Sequence, residues 1–299
     1  MIKSDKEVNY KPSLIWPMVL FFVFIHLASF YGFYLSFYAK TQTHLTVYLL
    51  IVFGGLGVTA GAHRLWSHGA YKAKLPLRIF LAALQTLSLQ RDIYEWCRDH
   101  RIHHKFCETD ADPHDARRGF FYSHIGWLIV QKHPMVSIRR QQIDYSDLLS
   151  DPVVRYQRTF YIPLVILLGV VIPTLIPYYF WSEDLIISLF TCFFLRYVIS
   201  LHIAFCINSV AHMYGQRPYD KHINSRDSLG LALTAMGEGF HNYHHTFPQD
   251  YSTSEWGWKF NLTTFFIDIC AYLGLAYNLK TMDKQTIAAR KLRSGDKIN

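Results

Sequence analysis

Four long apolar stretches alternate with polar segments along the chain. They cover residues 14–39, 41–62, 159–182 and 185–211, and Arg196 is the one charged residue within them. Each is long enough for a membrane-spanning helix, which needs about 20 mainly apolar residues. Very short turns join the first two and the last two, so each pair is predicted to form a helical hairpin. The pattern predicts an all-α membrane protein with four transmembrane helices.

The polar segments are predicted to lie outside the membrane. Residues 1–13 form a short tail, and residues 63–158 and 212–299 are together called the cap. The apolar run Ile79–Gln90 is too short to span a bilayer and is typical of an interfacial or re-entrant segment. Phe260–Leu279 is amphipathic and predicts a helix on the membrane surface.

The basic residues predict the orientation. Residues 63–158 hold fifteen Lys and Arg, the segment from Arg217 onward holds ten, and three precede the first span, whereas Lys40 is the one basic residue in the two short turns. Positive loops face the cytoplasm, so both termini and the cap are predicted to be cytosolic. This topology mainly explains the net charge of +8, with binding of anionic lipid or an anionic substrate as additional uses. Nucleic-acid binding has no motif in its favour.

Three histidine clusters dominate the polar segments. Within a helix, residues at i, i+3 and i+4 share one face, and this spacing occurs twice, whereas the first pair is spaced i and i+5, which suits a helix end. Neutral imidazole binds iron, zinc, copper and nickel. The clusters therefore predict a shared metal site. They comprise His63 and His68; His100, His103 and His104; and His241, His244 and His245.

The number of imidazoles exceeds the four ligands of a zinc site and fits two metal ions. The five cysteines show no paired spacing, which argues against a disulfide framework and an iron–sulfur cluster. Redox chemistry at an open coordination position favours non-haem iron, although the Glu-x-x-His pattern of carboxylate-bridged sites is missing. A site just above the membrane suits a lipid-like substrate, and iron with dioxygen can oxidise an unactivated C–H bond. Desaturation or hydroxylation of a hydrocarbon chain follows as the hypothesis.

The chain resembles the membrane-bound fatty acyl-CoA desaturases, the stearoyl-CoA Δ9-desaturase group, over about residues 14–293. The similarity rests on the motifs at residues 61–68, 94–106 and 237–245, with support from residues 111–114, 117–121 and 217–221. It implies four transmembrane helices in the endoplasmic reticulum membrane, under a cytosolic helical cap formed by residues 63–158 and 212–299. It also implies two iron ions with nine imidazole ligands, adding His212 to the eight above, and Asn208 as a ligand through water. Asn208 and His212 are spaced i and i+4, which places them on one helix face.

The resemblance also implies substrate contacts. Arg98, Asp99 and Lys132 match positions that meet the CoA moiety, although Gln131 stands where the family often has Arg. Gln90 and Trp96 match residues near a bend in the acyl tunnel, and Ile51 and Gly55 match positions that set its depth. Ala204 and Phe205 replace Thr and Trp, and residues 224–227 vary with regioselectivity. The seven other histidines are predicted to be structural or solvated, with His114 and His124 as possible partners of the ligands: His26, His44, His114, His124, His133, His202 and His222.

The predicted function is O2-dependent acyl-CoA desaturation, with Δ9 as the favoured position. Electrons would come from a separate cytochrome b5 and its NADH-dependent reductase, because no haem-attachment or dinucleotide motif occurs. Three alternatives stay open: a conjugase or hydroxylase, a desaturase of other regioselectivity in specialised lipid or pheromone synthesis, and a non-catalytic lipid-binding relative. A zinc transporter is disfavoured because the spans lack acidic residues.

Overall fold

A computed structural model describes residues 10–296; residues 1–9 of the predicted tail and 297–299 at the C-terminus lie outside it. The fold is helical with one two-stranded sheet. In chain order the main helices are α1 (Trp16–Ser36), α2 (Thr41–Ser67), α3 (Leu75–Leu87), α4 (Ile93–Phe106), α5 (Pro134–Arg140), α6 (Ser146–Ser150), α7 (Pro152–Thr159), α8 (Tyr161–Trp181), α9 (Leu185–Met213), α10 (Leu229–Thr234), α11 (His241–Thr246), α12 (Leu262–Tyr272) and α13 (Lys284–Ser294). Three short helical segments lie between α4 and α5: Ala116–Arg118, Tyr122–Gly126 and Trp127–Ile129. Strands β1 (Lys72–Ala73) and β2 (Ala276–Tyr277) pair antiparallel.

Helices α1, α2, α8 and α9 are long and apolar enough to cross a membrane, which confirms the prediction of four spans. Their most apolar windows bury only 22–44% of their residues inside the protein. Large side chains such as Phe30 and Phe180 are 71% and 80% exposed. Such an apolar surface is too large for contact with water and fits contact with lipid. The chain is therefore a multi-pass membrane protein.

The second span changes helix type before it reaches the first histidines. It is α-helical from Thr41 to Leu56 and π-helical from Gly57 to Ser67. In a π-helix the backbone bonds join residues five apart, and the amide of His68 donates to the carbonyl of His63 at 3.2 Å. The i, i+5 spacing of the two histidines thus matches the hydrogen-bond spacing of this helix. The first histidine pair lies at the C-terminal end of the second span, where His68 caps the π-helix, as predicted for a pair at a helix end.

Glycine at position 57 allows α2 to meet α3 closely. A Cβ atom there would lie 2.1 Å from the backbone nitrogen of Gln85. Helix α3 occupies most of the segment predicted to be interfacial or re-entrant. It buries Leu77 and Leu81 while Ile79 and Phe80 are about half exposed, as expected for a helix at a membrane surface. The close contact fixes this helix beside the part of α2 that carries His63.

The cap has its own hydrophobic core beneath the short sheet. Leu81, Ile93, Leu148, Val154 and Ile267 are at most 1% exposed and belong to one cluster. These residues come from α3, α4, α6, α7 and α12. The core therefore binds both polar segments of the chain into one support for the histidine helices. Helix α12 presents Phe265 and Ile269 outward, as predicted for a surface helix.

Arg196 joins three helices inside the membrane region, and its loss should destabilise the protein. Its side chain is fully buried and donates to the carbonyls of Leu87 at 2.9 Å, Gly169 at 3.0 Å and Cys192 at 2.7 Å. Arg196→Leu is expected to lower unfolding stability by about 2 kcal/mol or more, because an unsatisfied buried carbonyl costs about 1–3 kcal/mol. Thermal unfolding in detergent measures it, with exposed Arg155→Leu as the control; equal midpoints for both variants would refute the role.

Candidate metal centre and apolar cavity

The nine predicted histidines converge in two adjacent clusters. Within each cluster, one nitrogen from every imidazole lies within 4.8 Å of the others. Cluster A contains His63, His68, His100, His104 and His244; cluster B contains His103, His212, His241 and His245. Five of these nine side chains are less than 9% exposed. The fold thus gathers imidazoles from α2, α4, α9 and α11 at the boundary between spans and cap.

Two short-spaced motifs divide their side chains between the clusters. On α4, His100 and His104 contribute to cluster A and His103 to cluster B. Helix α4 begins at a capped end, where the Asp92 carboxylate accepts the Glu95 amide at 3.0 Å. Helix α11 likewise gives His244 to cluster A and His241 and His245 to cluster B. A shared helix face therefore serves two centres.

The hydrogen-bonding partners fix which nitrogens carry lone pairs. His63 Nδ1 lies 2.9 Å from a Glu238 carboxylate oxygen, so this nitrogen carries the proton. The Nε2 lone pair of His63 then points into cluster A, 2.9 Å from Nε2 of His244, which is also 2.9 Å from Nε2 of His104. One proton on His244 cannot satisfy both neighbours. A cation at the centre satisfies all these lone pairs.

The separations between ligand nitrogens fit a transition metal. A metal–nitrogen bond of about 2.0–2.1 Å with right angles places neighbouring nitrogens about 3.0 Å apart. The Nε2 atoms of His68 and His100 are 2.8 Å apart in cluster A. In cluster B, Nε2 of His241 is 3.0 Å from that of His212 and 3.0 Å from that of His245. Both donor sets fit a metal ion.

Burial and mutual repulsion keep these imidazoles neutral. The pKa values of five cap histidines lie well below the ordinary range, because burial and neighbouring histidines disfavour the charged form. Metal binding requires the neutral ring, so these ligands need not lose a proton at neutral pH. The five are His100, His104, His241, His244 and His245.

Carboxylates on the outer side of the clusters orient several of the histidines, a role that the sequence did not predict for them. Asp112 Oδ1 accepts from Nδ1 of His103 at 2.9 Å, and Glu238 holds His63 in the same way. Glu108 lies 3.7 Å from Nδ1 of His212. Burial alone would raise the pKa of Glu238, but Arg64 and His63 lower it to about 2. Asp112 and Glu238 lie within the motifs at residues 111–114 and 237–245, which was the available signal, whereas Glu108 lies outside every motif.

Arg64 anchors the carboxylate of Glu238. Its guanidinium is fully buried and donates to Glu238 at 2.8 Å, to Thr264 at 2.9 Å and to the carbonyl of Tyr251 at 2.9 Å. Asn261 accepts a further bond at 3.2 Å. A buried ion pair is stable only when its remaining donors are satisfied, as they are here. The network connects α2 with the loop before α11, with the segment between α11 and α12, and with α12 itself.

An apolar cavity extends from the histidines between the spans. His63, His100, His103 and His241 contribute to its wall. Eight residues with predicted substrate or water-mediated roles also line it: Ile51, Gly55, Gln90, Trp96, Asp99, Ala204, Phe205 and Asn208. Trp96 donates to the Gln90 side chain at 3.4 Å and stacks on His100 with ring centres 4.9 Å apart. A cavity of this composition suits an apolar chain brought beside the clusters.

Positive charge concentrates around the part of the cavity wall formed by Asp99. This carboxylate binds Arg91 at 2.8 Å, Lys132 at 2.5 Å, and Arg140. Burial raises the pKa of Asp99, but the three cations lower it to about 2. One negative and three positive charges leave an excess of two positive charges. Arg98 instead forms an ion pair with Glu95.

The other histidines lie outside the two clusters. His114 lies on the cavity wall, with its ring 4.2 Å from that of His103 and Nδ1 3.7 Å from Asp112. His124 forms hydrogen bonds with Ser209 at 2.9 Å and with His202 at 2.9 Å, neither of which is a predicted metal ligand, and His202 bonds His26 at 3.0 Å. His133 is buried and caps α5, whereas His44 and His222 are exposed.

Sequence comparison with known proteins identifies the family of this chain. The fatty acid desaturase family matches residues 41–255. The chain is 56% identical to "Stearoyl-CoA desaturase 5" of Bos taurus over 96% of this chain and 86% of that protein. It is 51% identical to "Acyl-CoA desaturase" of Ovis aries and to "Stearoyl-CoA desaturase 2" of Mus musculus, each over 98% of this chain and 82% of the relative. The chain therefore belongs to the fatty acid desaturase family and is an acyl-CoA desaturase with a histidine-rich metal centre.

Proposed function

We propose that the chain inserts a Δ9 double bond into a fatty acyl-CoA at a centre of two iron ions. The observation that carries this proposal is the convergence of two imidazole clusters on one apolar cavity. The stearoyl-CoA desaturases that it resembles support the substrate class. Cluster A and cluster B would each hold one iron, and Asn208 would reach the centre through water. Bound iron would supply dioxygen-dependent oxidation of an unactivated C–H bond.

The protein's own residues would position and protect the reacting chain. Asp112 and Glu238 hold imidazoles in the tautomer that presents a lone pair to the cluster. Burial of both clusters keeps bulk water from the reacting carbons. Trp96 and Gln90 stand beside His100 at the cavity wall, where they would orient the chain. The distance from the Gln90–Trp96 pair to the charged residues near Asp99 is fixed by the fold. This distance would determine which carbon of the acyl chain is presented for oxidation.

Ala204 and Phe205 give this part of the cavity a different surface from that of the Thr and Trp they replace. Both line the cavity, and Phe205 is 5% exposed. Alanine lacks the hydroxyl that threonine would present to the cavity, whereas Gln90 and Trp96 keep their polar groups there. We therefore assign the orientation of the chain to the Gln90–Trp96 pair.

We propose that cytochrome b5 with its NADH-dependent reductase donates the electrons, and that the cap faces the cytosol from the endoplasmic reticulum membrane. The excess of basic residues in the cap supports the orientation. The test reconstitutes the iron-loaded enzyme with saturated acyl-CoA, NADH, reductase and cytochrome b5. Desaturation should require all components. Equal turnover without cytochrome b5, with the reductase present, would refute this donor.

The affinity for acyl-CoA is expected to depend on pH through the charge of Lys132. Burial and the nearby Arg91 and Arg140 lower the pKa of Lys132 to about 8, although Asp99 opposes them. Raising the pH from about 7 to 9 removes this charge and should increase KM about two- to fivefold, the magnitude of a partly exposed ion pair. Lys132→Arg keeps its charge over this range and should flatten the profile. An identical KM rise in that variant would exclude Lys132 as the cause.

A further inference from the structure

Met236 reaches from the cap into the apolar cavity and touches the second span. Its side chain is 8% exposed and packs with Leu56 and Leu84. A Cβ atom added to Gly55 would lie 2.4 Å from Cε of Met236 and 2.8 Å from Sδ. The end of the thioether therefore fills the space that a side chain at position 55 would occupy. Both residues line the cavity that contains His63.

The backbone at Met236 is held in an unfavourable conformation. Among residues 10–296, eight non-glycine residues have positive φ, and three of them, Leu89, Arg91 and Met236, line this cavity. Met236 has φ +57°, a left-handed conformation that crowds any residue with a Cβ. Such conformations persist where the surrounding structure imposes them, and they concentrate at ligand sites.

The surrounding loop supplies that constraint. The carbonyl of Met236 accepts the Thr263 amide at 3.2 Å, and the next amide, of Gly237, donates to Ala232 at 2.7 Å. A Cβ at Gly237 would lie 2.2 Å from Asn261, so the loop cannot shift in that direction. Glu238, which holds His63, follows directly. The backbone is therefore held beside the metal ligands, and the unbranched side chain is the part of Met236 that can change conformation.

We infer that Met236 is a specificity-determining residue for acyl chain length. Its flexible side chain acts as a stop, meaning that it limits the depth of the cavity at the α2 wall. This inference rests on the proposed function. Methionine is unbranched with three rotatable bonds, so its end can adapt to the methyl end of a chain. Gly55 provides the space into which the thioether extends. Depth is therefore set jointly by the cap and α2, and not by α2 alone.

The first test compares Met236→Ala and Met236→Phe with the parent enzyme. Each receives an equimolar series of saturated acyl-CoAs of increasing even chain length, and kcat/KM is determined for each substrate. Met236→Ala should favour longer substrates by about fourfold for each added methylene that gains burial. Met236→Phe should favour shorter ones. Alanine and phenylalanine both carry a Cβ, so each variant must adopt the same positive φ at position 236 as the parent. Met282→Ala in the cap is the matched control.

A double-mutant cycle makes the test specific. Gly55→Ala should displace the thioether of Met236 into the cavity and shift the parent enzyme toward shorter chains. In a Met236→Ala background the same substitution meets no thioether, so its effect should disappear. Coupling of this kind is expected only for residues in contact. Additive shifts in the two backgrounds would overturn the inference.

Turnover and binding, recorded in parallel, separate this inference from the proposed function. Binding of each acyl-CoA is measured by the thermal stabilisation that it produces. Desaturation by the parent enzyme with unchanged length profiles in folded Met236 variants would refute the stop but retain the proposed function. No desaturation by the iron-loaded parent would refute the proposed function. If Met236→Ala fails to fold, the Met236→Phe profile decides, and an unchanged profile there also refutes the stop.

Discussion

His103→Ala is expected to abolish desaturation while leaving a protein that inserts into the membrane. The substitution removes one of four imidazoles in cluster B and the bond from Nδ1 to Asp112. Loss of a partner behind a metal ligand already reduces metal affinity or activity about 10–100-fold, so loss of the ligand itself should exceed about 100-fold. Asp112 keeps the backbone amides of Glu108 and His114 as donors. The fold should therefore survive.

The measurement combines fatty acid analysis with metal content. The purified variant should lose about half of the bound metal, because cluster A remains complete. His222→Ala removes an exposed histidine outside both clusters and should retain product and metal. Retained activity in His103→Ala would show that this ligand assignment is wrong. Iron must be loaded under defined conditions, since zinc can bind imidazole sites equally well.

Gly55→Tyr is expected to shorten the preferred acyl chain. Gly55 lies on the cavity wall against the thioether of Met236, so a phenol ring there must occupy the cavity or displace Met236 into it. Because each buried methylene contributes about 0.8 kcal/mol, excluding two of them should reduce turnover of the longest good substrate about tenfold or more relative to shorter ones. The product chain-length profile from expressing cells measures this shift.

The control for Gly55→Tyr is Gly230→Tyr on α10. An added Cβ at Gly230 meets nothing within 4 Å, and the residue is exposed. It should leave the profile unchanged. If Gly55→Tyr produces the parent profile at normal expression, the residue does not limit the cavity. A uniform loss of all products would instead point to a general folding defect, which thermal unfolding would detect.

The four spans were predictable because their signal is local. Each span is a continuous apolar run, so length and composition were sufficient to find it. The histidine spacing was local too, and it placed His100, His103 and His104 on one helix face. It did not show that His103 belongs to a different cluster from its neighbours, because that division depends on where α9 and α11 meet α4.

Other features depend on long-range packing and could not be read from spacing. The π-helical end of α2 joins the i, i+5 histidine pair by a backbone hydrogen bond, whereas α-helical geometry separates the two residues by about a third of a turn. Glu238 and His63 are far apart in sequence, and only the folded loop brings them together. Met236 shows no sequence signal, since methionine in an apolar segment is ordinary core composition.

The most direct test of the account is gas chromatography of fatty acids, with double-bond location, from desaturase-deficient cells expressing this chain. The account predicts a monounsaturated fatty acid with the double bond at Δ9, absent from cells expressing His103→Ala. A hydroxylated fatty acid as the main product would contradict desaturation. Desaturation at another carbon would retain the enzyme class and contradict the proposed Δ9 position.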